Sequence, residues 1–212
     1  MVAMTPPGKR PPGAGGALAA APVIPGDPAS MARFLIDDAH PREQREKLVA
    51  DYPQHSAAMI AVMGATMEPG TPEEYRRIPW VWRVAIAAGK RNQDAELLGI
   101  LKVTLPRDGE PLRDWQAVVI GGGLINGVSQ LNVWPGERFA KLLAGEDVLR
   151  ARWLRSLELS LVMADNEKVP TGTRYDALRM LPLLGWERAQ ASLTKYAAKG
   201  THAELQMGAV SG

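Results

Sequence analysis

The 212-residue chain contains no cysteine. Disulfides, thiolate metal sites, a cysteine nucleophile and covalent c-type haem attachment are therefore excluded within it. Histidine is almost as scarce: the three present, His40, His55 and His202, share no HExxH or other ligand spacing. A metal site built mostly of imidazole is not indicated. Long apolar runs are missing too, since no stretch approaches the roughly 18 residues of a membrane-spanning helix. Nor is there an excess of one charge. The 25 basic and 23 acidic residues leave a net charge of +2. The basic ones are scattered among Asp and Glu, so nucleic acid is not implied as a partner.

What remains is an ordinary globular composition, 46% hydrophobic and 23% charged, on a chain long enough to bury a core. Residues 1–27, including PPGKRPPGAGGALAAAPVIPGDP, are rich in Pro, Gly and Ala and read as a disordered linker. Lys9 and Arg10 followed by GAGGALAAAP faintly imitate an export signal, but the apolar part is short and glycine-rich. Compartment stays open.

From Asp27 onward the pattern is helical. Pro28, Pro41, Pro53, Pro72, Pro111 and Pro135 each stand where a first helical position is expected, because a missing N–H costs nothing there. Thr71-x-x-Glu74 and Thr201-x-x-Glu204 fit the capping box, and Thr173-x-x-Asp176 is a weaker version. Apolar residues recur every three or four positions, as in Leu149, Trp153, Leu157 and Leu161, and again in Leu97, Leu98, Leu101 and Leu105. Phe139, Leu142 and Leu143 form a further stripe, as do Tyr175, Leu178 and Leu181. Only Ala117–Ile120 and Lys102–Leu105 look strand-like. The expectation is nine or ten helices and no sheet.

The helices also repeat. Trp82–Gly89 superposes on Trp115–Gly122 at an offset of 33, and Arg174–Ala177 on Gln206–Ala209 at an offset of 32. Periods of this size are the mark of stacked helix pairs, each lending a neighbour the wall it lacks. Residues 174–185 (RYDALRMLPLLG), a second helix from Trp186 to Lys199 and then AELQMGAVSG (203–212) resemble HEAT-type repeats. The likeness spans about residues 72–212 and is clearest from Arg174 onward. Ile78–Pro135 also looks like repeat segments of large bacterial multi-domain proteins that join such repeats to a dehydrogenase-like propeller and a c-type haem module. This chain has no CxxCH motif and no run of β-blades. The resemblance therefore implies an all-α, armadillo-like α-solenoid over residues 28–212, without chemistry of its own, and its end at Gly212 reads as a fragment of a longer protein. Its partners would be another protein or flanking domains of the same parent chain.

One motif argues for a different class. AVVIGGGLING (residues 117–127) imitates a strand entering the glycine-rich turn that cradles a dinucleotide pyrophosphate. Gly121 and Gly123 fit that fingerprint. Its third place is Asn126, with Gly127 one residue late, and Glu137, Glu146 and Asp147 miss the position of the ribose-binding acid. The competing reading is a helix over Leu112–Ser129 with Trp115, Val118, Gly122 and Ile125 on one face, its glycines admitting a neighbour closely. Three interior glycines cost such a helix about 2–3 kcal/mol, which packing must offset.

Other candidates read structurally. Trp80, Trp82, Trp115 and Trp153 could stack on bases or sugars, but at helical spacing they fit a core or a wedge between repeats. Arg76, Arg77, Arg83, Lys90 and Arg91 could line a concave anionic site. With Glu73, Glu74, Asp94 and Glu96 among them, a mixed-charge face fits better. The carboxylate pairs Asp37-Asp38 and Asp165-Asn-Glu167 fall at helix ends, where polar residues are common. No Ser/His/Asp set can be assembled. Catalytic, cofactor-binding and metal-ligating residues are accordingly assigned to no position, and a non-catalytic interaction or scaffold segment is the expected function.

Overall fold

A computed structural model describes residues 26–200 and 202–212. Among these, eleven α-helices and no strand occur: α1 (Pro28–Ile36), α2 (Arg42–Asp51), α3 (Ser56–Gly64), α4 (Pro72–Arg91), α5 (Asp94–Thr104), α6 (Ile120–Ser129), α7 (Pro135–Leu142), α8 (Asp147–Ala164), α9 (Thr171–Met180), α10 (Trp186–Ala197) and α11 (Ala203–Ser211). The protein is all-α. Both strand-like runs are helical, Lys102–Thr104 ending α5 and Ala117–Val119 forming a π-helical turn that runs into α6.

Local chemistry explains most of the boundaries. Asp27 caps α1 by accepting from the Ser30 N–H at 2.9 Å, with Pro28 at the first helical position. Thr71 caps α4 by accepting from the Glu74 N–H at 3.2 Å, while the Glu74 carboxylate reaches one residue past the usual capping-box partner to the Gly70 N–H at 2.6 Å. Asn92, left-handed at φ 53°, closes α4. The sequence reading misplaced three signals: Pro41 is the N-cap of α2 and not its first residue, Pro111 lies in the loop before the π turn, and Thr173 sits inside α9 where it caps nothing. Thr201 and most of the 1–27 segment lie outside the described residues.

Two close helix pairs organise the packing. α4 and α6 run parallel, for Gly123 faces Ala85 and Gly127 faces Gly89 one turn further along both. α9 and α11 do the same, with Gly208 against Tyr175 and Gly212 against Leu178. α3 packs between α1 and α5, α8 lies on α9, and α10 on α11. The core centres on α6, which is buried on nearly every side, Ile120–Ile125 as well as Gly127 and Val128 being inaccessible. A helix apolar all round belongs in an interior. Glycine at four of its positions is what makes room for neighbours on each flank.

Arginines hold the helix ends. The final carbonyls of an α-helix lack intrahelical partners and carry the negative end of its dipole. Here Arg45 donates to Leu35 O of α1 at 3.2 Å, Arg91 to Val49 O of α2 at 3.3 Å, Arg77 to Met63 O of α3 at 3.2 Å, and Arg174 to Ala164 O of α8 at 3.1 Å. Each guanidinium comes from another segment, so each bond ties two helices together.

Candidate functional site

The glycine run of residues 121–127 meets helices, not solvent. A methyl added at Gly123 would lie 2.7 Å from Ala85 Cβ, at Gly122 2.9 Å from Asp176 Cβ, and at Gly121 2.9 Å from Met180 Sδ. Gly122 and Gly123 thus seat α9 and α4 against α6, while Gly121 meets the flexible end of Met180, which can turn aside. Upstream, the Ile120 N–H reaches Trp115 O, the i→i−5 bond of a π turn. Trp115 is thereby buried against Gly64, where an added methyl would come within 3.0 Å of the indole ring. The glycines both pack and follow a local irregularity, and no strand precedes them.

The basic cluster divides in two. Arg76 and Arg77 share Glu73, and Arg77 also binds the Met63 and Ala65 carbonyls, so this half is consumed by structure. Arg83, Lys90 and Arg91 instead line a groove of about 320 Å³ between α2 and α4. Arg91 is paired there with the buried Glu96 at 2.5 Å. Arg83 stacks on Trp80 at 5.0 Å, and Arg45 stacks on the same indole at 4.6 Å. Burial, and then the neighbouring Arg42, lower the Arg83 pKa, with Glu46 opposing. Lys90 is exposed, with no ion-pair partner among the described residues.

Trp80, Trp115 and Trp153 are core residues, and Trp82 is half-buried beside α9. Trp153 stacks on Phe139 with ring centroids 4.8 Å apart. The carboxylate pairs remain apart in role. Asp37 binds the Ala39 N–H and Asp38 binds Arg45, while Asp165 accepts from Ser192 at 2.7 Å and Lys195 at 2.8 Å. His40 stacks on Phe34. Among the described residues no three His, Asp or Glu side chains converge as a metal site.

Sequence reasoning missed two features. The first is Asp176, a carboxyl buried among α4, α6, α9 and α11. Its Oδ1 makes no hydrogen bond, and neither do Trp82 Nε1 and Arg179 Nε. Burial pushes its pKa up to about 7, with Arg179 pulling down, Glu204 of α11 pushing up and the nearby Trp82 N–H pulling down without reaching hydrogen-bond geometry. In the sequence it stood only as the acid of a weaker capping box, Thr173-x-x-Asp176. The second is an apolar groove of about 450 Å³ between α7 and α8, walled by Phe139, Leu143, Trp153, Leu154 and Leu157. Leu154 is 49% exposed, and the 47% exposed Trp134 stands beside Gly136 at its edge.

Fold and surfaces together define an all-helical protein with a tightly sealed glycine-lined centre and open apolar grooves. No protein-family model, curated protein or solved structure matches the chain.

Proposed function

We propose that the chain is a non-catalytic interaction or scaffold segment of the HEAT-like, armadillo-like helical-repeat kind, whose work is to present helix grooves to a protein partner. The parallel pairing of α4 with α6 and of α9 with α11 supports the repeat reading, because equivalent helices of neighbouring repeats run parallel in a solenoid. The interaction reading is carried by the α7–α8 groove. Leu154, Trp134 and the neighbouring Val148, 61% exposed, leave aliphatic and aromatic surface in water where burial against a partner would gain roughly 25 cal/mol per Å². A second groove, of about 580 Å³, lies at α10 and α11 beside Trp186, which is 65% exposed.

Leu154→Glu tests this. Proteins captured by the wild-type chain from its source cells are purified and titrated against both forms. The expected result is a partner whose Kd rises at least roughly tenfold with Leu154→Glu, while the unfolding midpoint is unchanged. Equal binding by both forms removes the groove from the proposal. The rival enzyme reading has its own measurement: a rise of several degrees in the unfolding midpoint with NAD or FAD, abolished by substitution within Gly121–Gly127, would replace the scaffold assignment.

A further inference from the structure

The face of α4 that lines the α2–α4 groove repeats a simple order. Arg83, Ile86, Ala87 and Lys90 stand at i, i+3, i+4 and i+7, so they share one helical stripe: cation, two apolar residues, cation. Val49 and Ala50 of α2 complete the apolar floor. The backbone positions of the two basic residues are about 10 Å apart along the axis.

The charges on this rim are not balanced from within. Three cations line the groove, Arg83, Lys90 and Arg91, and among the described residues their ion-pair partners are Glu46 and Glu96. Glu96 is taken by Arg91. Glu46 is held by Arg42 at 2.6 Å and stands 3.8 Å from Arg83, a long contact for an ion pair. Lys90 has none. Arg83 donates one N–H back to Pro79 O at 3.0 Å and stacks on Trp80, and its side chain keeps 30% of its surface exposed, so donors remain for a second partner.

We infer that the α2–α4 groove docks an acidic amphipathic helix of a partner protein, through two carboxylates seven residues apart that meet Arg83 and Lys90 and two aliphatic side chains between them that fill the Val49, Ala50, Ile86 and Ala87 floor. A helix offers this pattern on one face, with acids at i and i+7 and apolar residues at i+3 and i+4, which is the complement of α4. The inference rests on the interaction-segment reading but on a different face of the molecule. Loss of this site with the Leu154-dependent partner intact would sink only the docking claim.

The probe is a synthetic helical peptide with glutamate, two spacers, two leucines, two spacers and glutamate, beside a twin in which both glutamates are lysine. Binding to the full chain is read by fluorescence anisotropy. The acidic peptide binds, added salt weakens it, and Lys90→Glu raises its Kd roughly tenfold at an unchanged unfolding midpoint. Arg83→Gln weakens it as well. Equal binding of the two peptides, no saturable binding of the acidic one up to millimolar concentration, or an unchanged Kd in both variants overturns the inference. A Lys90-dependent dimer in sedimentation velocity overturns it in favour of a second copy as occupant. Anionic-lipid vesicles that bind through Lys90 while the acidic peptide shows no saturable binding overturn it in favour of a membrane surface.

Discussion

Gly89 of α4 and Gly127 of α6 meet backbone to backbone: a methyl on Gly127 would sit 2.6 Å from the Gly89 Cα and 2.6 Å from the Lys90 nitrogen. Neither contact can be relieved by a side chain turning aside. Gly127→Ala should therefore separate two helices. The gain in helix propensity, about 1 kcal/mol, is outweighed by overpacking of about 1–3 kcal/mol or more. Gly99 in α5 is the contrast, because a methyl there lies 3.6 Å from Ala57 Cβ, an ordinary contact. Urea unfolding followed by circular dichroism should show Gly127→Ala destabilised and Gly99→Ala unchanged or more stable by up to about 1 kcal/mol.

Asp176 should make the protein less stable as pH rises. Its folded pKa, about 7, lies above the ordinary 3.8, so the unfolded chain gives up this proton first. The stability present at low pH is lost between about pH 4 and 7, by at most about 4 kcal/mol. Asp176→Asn keeps the shape and removes the ionisation. Its unfolding free energy should match wild type near pH 4 and exceed it at pH 8, and equal curves at pH 8 would contradict the assignment.

Asp165 works in the other direction. Burial raises its pKa, but hydrogen bonds from Lys195, Ser192 and Tyr196 outweigh that and hold it below 3.8. Its contribution is present above the ordinary carboxylate range and lost as pH falls through the depressed value. Ser192→Ala removes one donor and should move the acid unfolding midpoint upward in pH.

Two ion pairs should separate by burial. Glu96 is 8% exposed at its side chain and takes Arg91 at 2.5 Å and Ser56 at 2.6 Å, linking the end of α4 to α3 and α5. Glu96→Gln leaves Arg91 half-buried without its countercharge, an expected loss of about 3 kcal/mol. Lys102 and Glu146, 52% and 37% exposed at 2.7 Å, should contribute under about 1 kcal/mol, so Glu146→Gln shifts the thermal midpoint little. Thermal unfolding of both variants in parallel makes the comparison.

Much of this was legible in the chain because it is local. The stripe Leu149, Trp153, Leu157 is buried along α8, and Pro28, Pro72 and Pro135 open their helices as their fixed φ and missing N–H require. The count of helices came out one or two short of the eleven described. Ala117–Ile120 misled because a continuous apolar run has no period by which a buried strand differs from a buried helix. Which residues of two helices touch was not legible either: Gly208 of α11 meets Tyr175 of α9, 33 positions earlier. Gly127 of α6 meets Gly89 of α4, 38 positions earlier, since similarity of sequence aligns residue types and not the depth at which two helices slide together.

Sequence alone determined that the chain is helical, holds no cysteine in its 212 residues, and carries a run of glycines too costly to keep in a helix unless something packs against them. Only the tertiary structure decided what that something is. Helix propensity and periodicity act over a few residues, whereas the partners of Gly121–Gly127 come from α4 and α9, some 40 to 60 positions away, and the arginines reach carbonyls 10 to 42 positions distant. The same distance hid Asp176, whose pKa follows from four helices closing around it, and the α4 stripe, whose meaning depends on α2 lying beside it.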